Sequence, residues 1–192
     1  MLRRWWPSVF GRISTCPSAS ADKLMAILPL VPETAPILSQ EQPRFDFENP
    51  PVSVDGLVND LLETLRSHRA IGLAAPQVGL PYRVFVMETD GAAARVCFNP
   101  EIVSVSDDVE KSEEGCLSFP NLWLKVERPI RVEAKYQNHF GNLVHETFES
   151  LAARCYLHET DHLNGVRFIQ KVGAVTLLRA RSRSKKLKKD RR

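Results

Sequence analysis

The run His158-Glu159-Thr160-Asp161-His162 constrains this chain more than any other stretch. In an α-helix, positions i and i+4 lie one above the other on the same face, so the two imidazoles can reach one point. A helix is predicted from about Phe148 to Leu163, and its apolar stripe of Phe148, Leu151, Ala152 and Cys155 is the face that carries both histidines. The histidines therefore face inward, and the rest of the chain has to close around this helix. Buried imidazoles need partners. Two readings stay open at this point. One is a metal ion held by the pair, with Glu159 beside a ligand and placed to take a proton from water. The other is an HExxH pattern arising by chance on a solvated helix. A catalytic site of the first kind wants three protein ligands and one open position. No histidine follows His162. Upstream, Cys116 in Glu114-Gly115-Cys116-Leu117-Ser118 would complete a Cys-His-His set, although a cysteine taken alone is more often a small buried hydrophobe.

The remaining pattern is that of an α+β domain. Leu57, Val58, Leu61, Leu62 and Leu65 recur at helical spacing and predict an amphipathic helix. Gly72, Gly79 and Pro81 mark a loop feeding a strand over Tyr82–Glu88, followed by short β-like runs around Arg95–Phe98 and Ile102–Val105. Alternation returns over Leu124–Tyr136, interrupted at Pro129. The segment Asn138–Asn142 has turn chemistry, so Leu143–Thr147 should return antiparallel. Asn164-Gly165 is a helix stop, and a last helix leads into the basic end. Strands and helices are segregated, which predicts antiparallel β-sheets around a central helix carrying the HExxH run, with a C-terminal helix.

Composition narrows the function classes. The four cysteines, Cys16, Cys97, Cys116 and Cys155, form no CxxC pair, which fits a reducing compartment. No apolar run approaches the roughly 20 residues of a membrane span, and Met25–Val31 is broken by Pro29 and Pro32; no membrane partner is expected. The net charge of +3 conceals a split: residues 179–192 carry nine Lys or Arg and one acid, while residues 25–178 sum to −8. Residues 1–24 are rich in Arg and Ser, with no acid before Asp22. They read either as a mitochondrial transit peptide or as an extension upstream of a true start at Met25. The expected organisation is an extension over 1–24, a catalytic domain over 25–178 and a basic tail over 179–192.

Three segments together go further. Ile71-Gly72-Leu73-Ala74-Ala75-Pro76-Gln77, then Glu114-Gly115-Cys116-Leu117-Ser118, then the HETDH run resemble, in order and approximate spacing, the signature motifs of the peptide deformylase family. The similarity spans roughly residues 26–175. It implies a hydrolase that removes the formyl group from the N-terminal methionine of nascent polypeptides. Cys116, His158 and His162 would be the metal ligands, with water as the fourth. Glu159 would be general base and then acid. The Gln77 side chain and the Leu117 backbone N–H would hold the developing oxyanion. Ile71, Gly72 and Gly115 would line the peptide groove, and Cys155 could help form the methionine pocket. The resemblance implies Fe²⁺ as the native ion with Zn²⁺ as the other choice, since His and thiolate suit several metals.

The basic tail reads either as a frayed, solvated helix end or as a ribosome-docking element, since each phosphate contact adds salt-dependent affinity. A monomer in the cytoplasm is expected, or in the mitochondrion if residues 1–24 are a transit peptide. Asp161 sits inside the HETDH run without being a ligand, and the family has an arginine at the position of Arg128, so the resemblance implies an ion pair between the two that supports the ligands. Three positions depart from the family pattern: Ala70 where glycine is usual, Leu157 where glutamine is usual, and Trp123 where many members carry a polar or basic residue. Two other readings compete. A zinc endopeptidase would need a third His or Glu ligand downstream, where no histidine exists. An inactive ribosome-associated relative would not need the intact Cys116, His158, Glu159 and His162 set.

Overall fold

The computed structural model describes residues 26–190 apart from Asp90 and Ala92, so the extension read over 1–24 lies outside the described residues. Its elements in chain order are α1 (Val54–Ser67), β1 (Gly72–Ala74), β2 (Val84–Met87), β3 (Arg95–Val105), β4 (Val109–Glu114), β5 (Leu124–Pro129), β6 (Arg131–Gln137), β7 (Leu143–Glu149), α2 (Ser150–Leu163) and α3 (Ala174–Asp190). A five-stranded antiparallel sheet has the order β1-β2-β3-β6-β7, and β4 pairs with β5 in a separate two-stranded sheet. This is the expected α+β arrangement, with α2 at its centre.

β2 shows why the large sheet needs a helix on each face. Its residues Val84 and Val86 bury into the cluster containing Leu57, Leu61 and Leu65 of α1. Phe85 and Met87, of opposite phase, bury into the cluster containing Tyr156 and Leu163 of α2. Alternate side chains leave a strand on opposite faces, so a strand apolar in both phases has to be covered twice. α1 starts at Ser53, whose hydroxyl accepts from Gly56 N at 3.2 Å. Two polar residues on its packed face, Asp60 and Thr64, accept from the backbone of Ala26 and Leu28 at 2.9 and 2.8 Å, and so fasten the incoming chain.

The structure corrects several local expectations. Phe148 is not on the metal-motif helix; it lies on β7 opposite Val132, and Leu151 is 41% exposed. Ser150, with φ at 50°, turns the chain sharply from β7 into α2. α2 is buried almost all round over Ala153–Thr160 rather than along one stripe. The two β-like runs after residue 95 are one strand, with register shifts around Asn99-Pro100, where the missing N–H of proline is tolerated at a bulge. The alternating run 124–136 is divided between the two sheets at its break. The stretch from Gly72, read as a loop, begins with the short strand β1, and β4 carries no expectation from the sequence. The 138–142 turn, the return strand and the Asn164-Gly165 stop are found as expected, with Gly165 at φ +70°. The boundary read at 178/179 falls inside α3. Ala180 is 4% exposed and packs with Phe119, Leu124 and Phe168, so the folded part continues past it.

Candidate metal centre

The HETDH run folds as the last turns of α2, and both histidines are buried, His158 at 8% exposure and His162 at 1%. Cys116 arrives from a different element, two residues beyond the end of β4. Its Sγ lies 3.2 Å from His162 Nε2, and the three candidate ligand atoms of Cys116, His158 and His162 all lie within 4.8 Å of one another. His158 Nδ1 stands 2.9 Å from Glu114 Oε2. A carboxylate only accepts, so Nδ1 carries the proton and Nε2 is left as the candidate ligand atom.

Glu114 is the hub of the surroundings. Arg128 donates to it through Nε at 2.6 Å and Nη2 at 3.0 Å, and Arg154 Nη1 donates at 2.8 Å. Burial alone would raise the Glu114 carboxyl, but His158 and Arg128 hold it down at about 2. Arg128 also donates from Nη1 to Asp161 Oδ2 at 2.8 Å, which is the pair expected from the sequence. Lys171 Nζ lies 3.0 Å from the other Asp161 oxygen. The sequence alone assigns no role to Glu114, Arg154, Lys171 or Ser118. One signal was available: Arg154 is one turn before His158 on a helix face that must be buried, and a buried guanidinium demands a carboxylate.

The electrostatics fit a cation. Burial holds the His162 imidazole well below its usual range, so it is neutral and free to ligate. Burial opposes charge on His158 too, yet Cys116, Glu114 and Glu159 raise its pKa to about 10, so positive charge is favoured at this spot. Glu159 is 4% exposed, its Oε2 has no hydrogen-bond partner among the described residues, and burial pushes its carboxyl up to about 7. A thiolate, two imidazoles and an unsatisfied carboxylate converging in a buried space match one divalent ion with an open position.

A cavity of about 610 Å³ opens on this group. Gln77, Ile71, Gly72, Gly115, Cys116 and Leu117 line it, with Cys155, His158 and Glu159; His162 does not reach its wall. Gln77 Oε1 accepts from Ala74 N at 2.8 Å, which fixes the amide so that Nε2 points toward Cys116 Sγ at 3.5 Å and Ser118 Oγ at 3.2 Å. A donor is thus aimed into the site. Cys155 donates to Ile71 O at 3.4 Å, and burial keeps its thiol protonated. Two glycines are explained by close approach. A Cβ on Gly72 would collide with Glu159 Oε1, and one on Gly115 would lie 3.1 Å from the Trp123 ring. Of the three departures, Ala70 has an ordinary backbone, because the left-handed residue is Arg69 at φ 51°. Leu157 is buried in the α2-side core, and Trp123 is 60% exposed on the cavity wall.

The family model for polypeptide deformylase matches residues 27–176. The peptide deformylase of Thermotoga maritima is 42% identical over 126 residues, covering 66% of this chain and 76% of that relative. That of Caulobacter vibrioides is 44% identical over 137 residues, covering 69% and 79%. Among solved structures, a peptide deformylase from Legionella pneumophila superposes with a TM-score of 0.78 at 33% identity, covering 86% of this chain and 98% of that one. One from Synechococcus elongatus, in complex with actinonin, gives 0.76 at 35% identity, covering 82% and 85%. With that match over most of its length, the chain belongs to the polypeptide deformylase family.

Proposed function

We propose that this enzyme removes the formyl group from the N-terminal methionine of nascent polypeptides through the residues gathered at the cavity. The observation that carries the reading is the convergence of the half-buried Cys116 with the buried His158 and His162 beside a carboxylate, Glu159, pushed up to about 7. A divalent ion held by the three ligands supplies Lewis acidity toward the formyl carbonyl and makes water a better nucleophile. Glu159 takes the proton from the attacking water and returns it to the leaving amine; a carboxyl near neutrality suits both transfers. Gln77 Nε2 and the Leu117 backbone N–H donate to the carbonyl oxygen as it gains charge.

Peptide binding follows from two open strand edges. β1 is the edge of the large sheet, and the chain leaving β4 at Gly115 borders the same cavity. An extended peptide between Ile71-Gly72 and Gly115 can pair with backbone on both sides, and Cys155 helps line the space for the methionine side chain. The family relatives do not favour the endopeptidase and inactive alternatives. Turnover of a short formyl-methionyl peptide by anaerobically purified protein, with metal quantified, tests the reading. Absence of formate release from metal-replete protein would overturn it.

The native ion is read as Fe²⁺ on the family resemblance, with Zn²⁺ compatible with the same donors; metal content of protein purified without oxygen decides between them. Ribosome docking is read from α3, which packs through Leu177 and Ala180 while Arg179, Arg181, Arg183, Lys185 and Lys186 stay exposed. Because Ala180 is part of the core, the informative truncation is after Arg183 rather than after Leu178. It should leave peptide turnover intact and weaken ribosome co-sedimentation in a salt-dependent way. Equal sedimentation of both forms at low salt would refute docking. A monomer in the cytoplasm remains the reading for assembly and location. Among the described residues no helix is long and apolar enough to cross a membrane.

A further inference from the structure

We infer that Arg154 is a positioning residue that sets the separation between the thiolate and imidazole halves of the metal site. The candidate ligands come from elements that share no sheet: Cys116 follows β4 of the small sheet, and both histidines are on α2. Metal–ligand distances tolerate only about 0.2 Å of variation, so the small sheet has to be held at a fixed height over the helix. Arg154 stands one turn before His158 and is 8% exposed. Its Nη2 donates to Glu110 O on β4 at 2.8 Å, and its Nη1 donates to Val126 O on β5 at 2.9 Å and to Glu114 Oε1 at 2.8 Å. Glu114 receives His158 Nδ1 through its other oxygen and lies two residues before Cys116. One planar group therefore ties both strands of the small sheet, the carboxylate that orients a ligand imidazole, and the helix bearing both imidazoles. A lysine has no such fork and can replace only part of it.

The sign of the effect separates positioning from electrostatics. Arg154 places a positive charge close to a site that takes a cation. Charge alone predicts that removing it tightens metal binding; positioning predicts that removal weakens it. The inference rests on Cys116, His158 and His162 holding the ion.

The test uses the full chain, purified without oxygen and loaded with Co²⁺, as wild type, Arg154→Met and Arg154→Lys. Chelator competition gives the affinity, the sulfur-to-cobalt charge-transfer band reports whether Cys116 is bound, and thermal melts of the metal-free proteins report folding. Arg154→Met should bind Co²⁺ about 10- to 100-fold more weakly, the range for groups that orient ligands, with a diminished band. Arg154→Lys should fall between. Unchanged or tighter affinity with an intact band in Arg154→Met overturns the inference, as does a raised KM with unchanged affinity, which would make Arg154 a substrate contact. If Arg154→Met does not fold, wild-type affinity in Arg154→Lys overturns it. If the wild type itself shows no stoichiometric Co²⁺ with a sulfur band, the ligand assignment fails instead.

Discussion

Gly72→Ala probes the placement of Glu159 without touching a metal ligand. The added Cβ would overlap Glu159 Oε1 and come within 2.8 Å of Glu159 Cδ and Cys155 Sγ. Optimal separation between carbon atoms is about 3.5–4.0 Å, so roughly 1 Å of movement is required. β1 cannot easily supply it, because Leu73 and Ala74 are fully buried behind Gly72. The Glu159 carboxylate can, since its Oε2 has no partner to hold it. Overpacking of this kind costs about 1–3 kcal/mol, and Tm in a domain of this size falls about 2–4 °C per kcal/mol. The expected loss is therefore roughly 2–12 °C. A misplacement of about 1 Å in a reacting group costs on the order of 10²-fold in rate. The assay is kcat and KM on a short formyl-methionyl peptide, beside a melt and a metal determination, which should still give one ion per chain. A variant that melts lower but turns over within about twofold of wild type would refute the reasoning, because the carboxylate would then have moved without consequence.

The other perturbations concern the same carboxylates and one buried hydroxyl. Glu159→Gln should keep its metal and lose about 10²- to 10⁴-fold in kcat. It should also abolish an acid limb in kcat/KM, where activity rises with pH as the carboxyl, pushed up to about 7 by burial, ionises; a bound cation moves that midpoint lower. Retention of more than about a tenth of the rate, or survival of the limb, would exclude Glu159 as the base. Glu114 is held at about 2 in the folded state, so its contribution is present above about pH 4.5 and disappears as pH falls toward 2. That difference corresponds to about 3 kcal/mol, and urea melts of Glu114→Gln across this range should show a flatter acid slope than wild type. Thr160→Val removes a buried hydroxyl with no partner among the described residues at nearly constant shape. It should raise stability by about 1 kcal/mol, and a fall in Tm would mean that the hydroxyl is bonded after all.

What could be read from the sequence was whatever depends on local periodicity. The i, i+4 histidines, the amphipathic helix at Leu57–Leu65 and the 138–142 hairpin all rest on contacts a few residues apart, and all are found. Arg128 was legible through the family resemblance rather than periodicity, although on β5 it shares the phase of the buried Leu124 and Val126. What escaped depends on chain reversal. Nothing local distinguishes Phe148 as the end of a strand from the start of a helix, because the break is a single left-handed serine, Ser150. β1 and β4 are too short or too polar to alternate clearly. Glu114 and Arg154 lie 40 residues apart and meet only because the small sheet folds onto α2. Nothing periodic in the sequence gives that distance.

The charges around α2 show why a site of this composition calls for a divalent ion. Two guanidiniums, Arg128 and Arg154, face two carboxylates, Glu114 and Asp161, through direct hydrogen bonds. These four cancel, and at the outer rim the partly exposed Lys171 on Asp161 is offset by the exposed Glu110 carboxylate, 3.8 Å from Arg154 Nη2. Inside that neutral frame stand the Cys116 sulfur and the Glu159 carboxylate, with two imidazoles. Buried charges persist only when paired or bound to metal. Burial pushes the Glu159 carboxyl up, and Cys116, Glu114 and Glu159 raise the pKa of His158 against burial, so positive charge is favoured at this spot. With a 2+ ion, thiolate and carboxylate can both ionise, the imidazoles become neutral ligands and the buried sum returns to zero. The four ion-paired residues thus do more than hold shape. By cancelling one another, they leave the Cys116 and Glu159 charges for the ion to neutralise.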